Sequence, residues 1–250
     1  MTLEQFFKEN PRVALAFSGG VDSSYLLYAA QKAGAQVRAY YVKTQFQPEF
    51  EYQDAMKLAR LLDAPVTVLR LNALEDAKVA ANPGNRCYYC KRHIFEAIWQ
   101  AARADGFSVL LDGTNASDQV ADRPGIRALR ELEVRSPLRE AGLTKAMIRE
   151  ASREAGLFTW DKPAYACLAT RIPTGRAITQ EDLERTQWAE DYLMGLGFRD
   201  LRVRLFGGCA RVQLPQGQHQ AFLNQKDEIT AVLKTRYAGV LLDMEARNGQ

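Results

Sequence analysis

The stretch RVALAFSGGVDSSYLLYAAQKAG, residues 12–34, constrains the fold more than any other part of this chain. RVALAF (12–17) is a short apolar run bounded by Pro11 and by Ser18-Gly19-Gly20, which reads as a buried strand. DSSYLLYAAQKAG (22–34) reads as a helix ended by Gly34. Between them, Gly19 and Gly20 let the backbone turn tightly and approach a ligand. The helix start presents free N–H groups and a positive dipole end to an anion. Ser18, Ser23 and Ser24 add hydroxyl donors. Strand, glycine loop and helix in this order predict a phosphate cradle, the plainer alternative being a glycine turn capped by Asp22. The loop matches neither G-x-x-x-x-G-K-[ST] nor G-x-G-x-x-G.

The alternation continues. AQVRAYYV (35–42) and PVTVLRL (65–71) read as strands, with a helix over 48–64 that has Pro48 near its start. A helix is expected from about Tyr88 to Ala104, and FSVLLDG (107–113) as a fourth strand. Strands alternating with helices imply a mostly parallel sheet covered on both faces. The pattern changes near residue 160: LFTWDKPAYACLATRIPTGRAIT (157–179) reads as a long loop. A helix (179–197), strands LRVRLF and ARVQLP flanking Gly207-Gly208, a helix over 218–234 and a last strand YAGVLLDME follow. The expected organisation is an α/β domain over 1–165 and a small mixed α+β domain over 166–250.

Composition narrows the partners. Apolar residues make up 47% and charged residues 25%, the ordinary globular balance, and a net charge of +3 is too small to argue for nucleic acid. No apolar run reaches the ~18 residues of a membrane span, and MTLEQFFKENPR lacks the apolar core of a signal peptide. Four cysteines in 250 residues are no disulfide scaffold, so the chain reads as cytoplasmic, with neither membrane nor nucleic acid as partner.

Two of those cysteines, Cys87 and Cys90 in NRCYYCKRH, stand three positions apart. By residue type they are a redox pair, half of a zinc site completed by His93 or another cysteine, or structurally inert. In LRVRLF the alternation puts Arg202 and Arg204 on one strand face, where two guanidiniums either bind phosphate bidentately or form a solvated, salt-bridged surface.

Ser-Gly-Gly-x-Asp-Ser resembles the pyrophosphate (PP) loop of the ATP pyrophosphatases. That resemblance implies an adenine nucleotide α hydrolase-like fold, ATP held by Ser18, Gly19, Gly20, Val21, Asp22 and Ser23, and Mg²⁺ on Asp22. DGTNASD (112–118), which supplies Gly113, DRPGIRALREL (122–132) and SPLREAGLTKAMIREASREAGLFTWDKPAYACLATRIPTG (136–175) then resemble, in this order, the LarE family. Its members are ATP-dependent pyridinium-3,5-biscarboxylic acid mononucleotide sulfurtransferases that help build a nickel-pincer cofactor. The resemblance covers nearly the whole chain, and ACLATRIP is its most specific part.

The family's chemistry implies adenylation of a carboxylate on a small nucleotide substrate, followed by attack of sulfur. Cys167 takes the position of the sulfur-bearing residue. In one version its own thiolate is sacrificed to the substrate, with Lys162, Arg171 and Arg176 as nearby cations. In the favoured version Cys87, Cys90 and Cys167 hold a [4Fe–4S] cluster whose open iron carries an extra sulfide, refilled by a donor that no motif specifies. The resemblance also implies substrate contacts from Arg171, Arg202 and Arg204, an acidic position at Glu190 that is a metal ligand or a surface carboxylate, and a homo-oligomer. One departure stands out: Gln213 occupies a place where the family often has Glu. Cys209 is expected to be structural. The rival readings are a tRNA-thiolating relative, which needs an RNA-binding surface, and a non-catalytic nucleotide sensor.

Overall fold

The computed structural model describes residues 1–118 and 124–247. Asp122 and Arg123 of the DRPGIRALREL segment lie outside the described residues. The chain forms two compact units, residues 1–73 with 85–162, and residues 74–84 with 163–250. No helix among the described residues is long and apolar enough to cross a membrane.

The first unit holds strands β1 (Arg12–Ala16), β2 (Gln36–Lys43), β3 (Val66–Arg70) and β4 (Leu110–Leu111), all parallel, in the order β3-β2-β1-β4. Its helices are α1 (Leu3–Glu9), α2 (Val21–Lys32), α3 (Glu49–Leu61), α5 (Arg86–Ala104), α6 (Pro124–Glu131), α7 (Pro137–Glu140) and α8 (Lys145–Glu154); α4 (Ala77–Ala80) belongs to the second unit. Alternate strand residues feed two cores. Val13, Leu15, Val37, Ala39 and Tyr41 pack with α1, α2, α3 and α8, while Ala14, Tyr40 and Val42 pack with Phe95, Ile98 and Trp99 of α5 and Leu129 of α6. Both sheet faces are therefore buried, as the continuous apolar strands require.

The second unit holds α9 (Gln180–Gly195), β5 (Arg202–Phe206), β6 (Cys209–Gln213), α10 (His219–Asn224), α11 (Lys226–Leu233) and β7 (Val240–Leu242). β5 and β6 are antiparallel and β6 and β7 parallel, so the sheet is mixed. Val203, Leu205, Ala210 and Val212 are buried on one sheet face and alternate with Arg202, Arg204, Arg211 and Gln213 on the other. The helix expected over 218–234 breaks at Gln225 into α10 and α11.

Segment 74–84 joins this unit through Asn82. Its amide donates to the carbonyls of Pro173 at 2.9 Å and Arg176 at 3.1 Å, and its own carbonyl accepts Gly175 N–H at 2.9 Å. Asn82 is buried and sits at φ 55°, a left-handed conformation that Asn tolerates better than most residues.

Candidate functional site

The order β3-β2-β1-β4 makes the chain reverse direction between β1 and β4. Ligands of open α/β sheets bind at such a switch point, beyond the carboxyl ends of the strands. The loop after β1 and the loop after β4 are therefore neighbours, although about ninety residues separate them. Their contact is close. A Cβ on Gly113 would stand 3.1 Å from Ser23 N and 3.3 Å from the Asp22 Cβ, so only glycine lets the second loop reach the start of α2.

Within the first loop, Gly19 turns at φ 71°, and a Cβ there would stand 2.5 Å from the Ala55 Cβ of α3. Ser18 and Ser23 tie the loop together: their hydroxyls are 3.0 Å apart, Ser23 Oγ donates to the Gly20 carbonyl, and Ser18 Oγ accepts Gly20 N–H. Gly20 is the N-cap of α2 and supplies no side-chain cap. Among the described residues, the N–H groups of Gly19, Val21, Asp22 and Ser23 have no hydrogen-bond partner. A row of open donors at a helix start is an anion cradle.

Asp22 is the acid of this cradle. Lys145 Nζ donates to its Oδ2 at 2.7 Å, while Oδ1 is buried with no partner among the described residues. Burial pushes the Asp22 carboxyl above the ordinary carboxylate range, Lys145 pulls it down, the charge of Asp118 pushes it up and Arg149 lowers it. A buried, unbonded carboxylate oxygen beside a phosphate cradle fits Mg²⁺, a hard cation bound through carboxylate and phosphate oxygens. Lys145 and Arg149 were not singled out in the sequence. A signal existed: Lys145 is the first residue of α8, where the dipole disfavours a cation, after the N-cap Thr144. Its backbone N–H is held by Ser117 Oγ at 3.0 Å, which fixes the helix start against the DGTNASD loop.

Cys87 and Cys90 lie inside α5, which starts two residues earlier than the sequence suggested. The i,i+3 spacing puts both thiols on one helix face, Cys87 exposed and Cys90 half-buried. Two soft thiolates on one face suit iron or zinc. Within neither unit do three His, Cys, Asp or Glu side chains converge among the described residues, so His93 does not complete a zinc site there.

The second unit places Cys167 at the cap of a short 3-10 turn, Leu168–Arg171. Its carbonyl accepts the N–H and the hydroxyl of Thr170, both at 2.9 Å. Of the three cations expected beside it, Arg171 lies close enough for its charge and the Cys167 thiol to influence each other. Lys162 pairs with Asp54 at 2.9 Å and Arg176 with Asp182 at 3.0 Å.

Glu190 is not a surface carboxylate: it is 1% exposed. Its Oε1 accepts Arg171 Nε at 2.7 Å and Val203 N–H at 2.9 Å, and its Oε2 accepts Arg171 at 3.2 Å and the Tyr165 hydroxyl. A carboxylate has about four acceptor directions, and these contacts take them all. Arg171 is equally spent, on Glu190, the Ala166 carbonyl and the Thr170 hydroxyl. The Tyr165 ring lies between two guanidiniums, 4.8 Å from Arg171 and 4.7 Å from Arg202.

Arg202 is buried and its terminal nitrogens donate to the carbonyls of Leu201 at 2.7 Å and Ala164 at 2.6 Å. Burial, then the charges of Arg171 and Arg247, hold its guanidinium down to about 10. Arg204 lies on the same face of β5, bonded through Nε to Gln213 Oε1 at 2.7 Å and through one terminal nitrogen to the Thr170 carbonyl at 2.6 Å. Cys209 opens β6, its sulfur 3.2 Å from where a Cβ on Gly239 would stand, a packing position.

Residues 11–82 match the family described as tRNA methyl transferase HUP domain. An uncharacterized protein of Synechocystis sp. is 39% identical over 223 residues, 88% of this chain and 83% of that protein. The pyridinium-3,5-bisthiocarboxylic acid mononucleotide synthase of Lactiplantibacillus plantarum is 33% identical over 236 residues, 94% of this chain and 86% of that enzyme. A tRNA-specific 2-thiouridylase of Clostridium botulinum is 32% identical, over only 40% of this chain and 33% of its own length. The likeness to the synthase runs through both units, whereas the likeness to the thiouridylase covers less than half of the chain. With its anion cradle and its end-to-end match, this chain belongs to the LarE family of PP-loop proteins and is an ATP-using sulfurtransferase.

Proposed function

We propose that this enzyme adenylates a carboxylate of pyridinium-3,5-biscarboxylic acid mononucleotide and replaces its oxygen with sulfur, in the assembly of a nickel-pincer cofactor. The observation that carries the reading is the presence, in one chain, of an open phosphate cradle in the first unit and of Cys167 close to Arg171 in the second. It is supported by the match of 94% of the chain to the L. plantarum synthase.

A carboxylate is a poor electrophile because oxide is a poor leaving group. The N–H groups of Gly19, Val21, Asp22 and Ser23, with Ser18 and the close approach of Gly113, cradle the ATP phosphates, and Asp22, with one buried oxygen unbonded, would hold Mg²⁺, which would neutralise phosphate charge. The substrate carboxylate oxygen bonds to the α-phosphorus, the bond to pyrophosphate breaks, and an acyl-adenylate forms. Sulfur then attacks the acyl carbon, AMP leaves with the former carboxylate oxygen, and a thiocarboxylate remains. The arginine face of the second unit receives the negatively charged substrate.

Cys87, Cys90 and Cys167 are the residues that would hold a [4Fe–4S] cluster, and such a cluster would supply the sulfide-level sulfur for the transfer. The enzyme works in the cytoplasm as a homo-oligomer. A second reading makes Cys167 itself the sulfur donor: its thiolate displaces AMP to form a thioester, then loss of the Cys167 α-proton with cleavage of its Cβ–S bond leaves the thiocarboxylate on the substrate and dehydroalanine on the chain, a reading supported by the Arg171 charge near the thiol.

Anaerobic purification and reconstitution, followed by iron and acid-labile sulfide analysis of the wild type and of the Cys87→Ala, Cys90→Ala and Cys167→Ala proteins, separates the two. A cluster lost in each variant supports three-thiol ligation. No iron in the wild type, with dehydroalanine at position 167 after turnover, supports the sacrificial route. Absence of pyrophosphate release from ATP with the biscarboxylate nucleotide present would overturn both.

A further inference from the structure

Residues 163–167, which end on Cys167, form neither helix nor strand. A stretch without regular structure has to find partners for its buried backbone carbonyls elsewhere. Here arginines supply them. Arg202 donates to the Ala164 carbonyl at 2.6 Å, Arg171 to the Ala166 carbonyl at 3.0 Å, and Arg204 to the Thr170 carbonyl at 2.6 Å. The Cys167 carbonyl is closed within the turn by the N–H and the hydroxyl of Thr170. Three guanidiniums of the second unit therefore hold the backbone on both sides of the thiol.

Backbone bonds alone do not fix which way the side chains face. Ala164 and Ala166 are exposed, whereas Tyr165 and Cys167 are half-buried. That alternation is the period of an extended segment, so Tyr165 and Cys167 share one face. The Arg171 guanidinium lies 4.8 Å from the centroid of the Tyr165 ring and the Arg202 guanidinium 4.7 Å from it. A guanidinium is attracted to the electron-rich face of such a ring. The Tyr165 hydroxyl donates to Glu190, which also accepts Arg171 and the Val203 N–H. Tyr165 is thus tied to α9 through Glu190, to β5 through Arg202 and to the turn after Cys167 through Arg171. Sulfur transfer asks for this kind of hold whether the thiol is a donor or a ligand, because a misplacement of about 1 Å costs ~100-fold in rate.

We propose that Tyr165 is the positioning residue of Cys167: its ring, held by Arg171 and Arg202, fixes the face of the loop from which the sulfur is presented. Its effect on sulfur transfer rests on the reading above; its effect on the orientation of Cys167 does not.

The test compares Tyr165→Phe, which keeps the ring, and Tyr165→Leu, which removes it, with the wild type. Two rates are read at saturating ATP and biscarboxylate nucleotide: pyrophosphate release and thiocarboxylate formation. Tyr165→Leu should slow thiocarboxylate formation about tenfold or more while pyrophosphate release keeps its maximal rate. Tyr165→Phe should stay close to the wild type in both. The second readout is the carbon spectrum of the ligand-free full chain carrying ¹³C at the cysteine Cβ, the Cys167 line being assigned by its loss in Cys167→Ser. That line should be single and sharp in the wild type and in Tyr165→Phe, and broadened or doubled in Tyr165→Leu. The Cys209 line, from β6 of the same unit, should not move. In Tyr165→Leu, two rates that fall together with a shifted Cys209 line would show a merely structural role and overturn the proposal. So would an unchanged Cys167 line with unchanged transfer, or a Tyr165→Phe protein as impaired as Tyr165→Leu. A wild type that forms no thiocarboxylate would sink the sulfur-transfer reading, and the Cys167 line would then decide the positioning role by itself.

Discussion

Lys145 Nζ sits 2.7 Å from Asp22 Oδ2, and the other oxygen of Asp22 is buried without a partner among the described residues. One acid therefore has a protein cation on one side and an open coordination direction on the other. The two residues are 123 positions apart, and the adjacency of β1 and β4 brings their loops together.

The first prediction concerns this pair and pH. Burial, its largest influence, raises the Asp22 carboxyl, so the carboxylate form proposed as the Mg²⁺ ligand predominates above that raised value and is lost as pH falls through it. Pyrophosphate release should therefore show an acid limb above the ordinary Asp range. Lys145→Met removes the hydrogen bond and charge that pull the carboxyl down, so its acid limb should move to higher pH. The stability sign is opposite: a raised carboxyl holds its proton more tightly when folded, so ionising Asp22 costs stability in full above the raised value, and that cost shrinks as pH falls below it and is gone below the ordinary carboxylate value. Asp22→Asn should abolish pyrophosphate release while melting no lower than the wild type. Release at wild-type rate would remove Asp22 from the metal site.

Gly19 yields a second prediction. A methyl group there meets the Ala55 Cβ at 2.5 Å, and the backbone is in the left-handed region. Strain and overpacking each cost ~1–3 kcal/mol, so Gly19→Ala should lower stability by a few kcal/mol in urea denaturation. The double variant Gly19→Ala/Ala55→Gly should recover the overpacking part alone. No recovery would mean that the backbone angle carries the whole effect.

The Arg171–Glu190 pair supports the third. Its side chains are 0% and 1% exposed, and it carries the Tyr165 hydroxyl and the Val203 N–H besides. Breaking a buried ion pair from one side costs ~3–5 kcal/mol. Glu190→Ala should therefore cost about that much and expose the second unit to protease, because an uncompensated guanidinium is left among Arg202 and Arg204. An Arg171→Met/Glu190→Met protein should be more stable than Glu190→Ala. A Glu190→Ala protein as stable as the wild type would refute the anchoring role.

Asn82 gives the fourth. Its amide and carbonyl hold the turn around Gly175, and Asn82→Ala leaves the Pro173 and Arg176 carbonyls without that donor. The loss should cost ~1–3 kcal/mol. Hydrogen exchange should rise at Gly175 and Ile178, whose N–H groups bond to segment 74–84. Unchanged protection there would show that Asn82 is not the latch.

Much of the fold and the cradle was legible because it is written locally. An apolar run, two glycines and a helix start are neighbours in the chain, so RVALAFSGGVDSS already specifies strand, turn and open N–H groups. The parallel sheet follows from the alternation of periods, and the mixed second sheet from short strands around Gly207-Gly208. Short helices such as α1 and α7 carry too few turns for a period to stand out. The break at Gln225 escaped the period too, since α10 and α11 continue one apolar face of Phe222, Ile229 and Leu233.

Partners, by contrast, are set by what packing brings within bonding distance, and a linear pattern does not encode distance. LTKAM shows that Lys145 stands at a helix start; strand order decides that it reaches Asp22. CLATR and Glu190 can be named as chemistry; folding β5 against α9 decides that Arg171 and Glu190 consume each other. LRVRLF and ARVQL show arginines on strand faces, yet the register of β5 on β6 sets Arg204 against Arg211. Residue types and local geometry belong to the chain itself, because they depend on torsions and periods within a few residues. Which charges are spent on the protein and which stay open to a ligand is settled by long-range pairing, because burial and hydrogen bonding depend on neighbours that arrive from elsewhere in the fold.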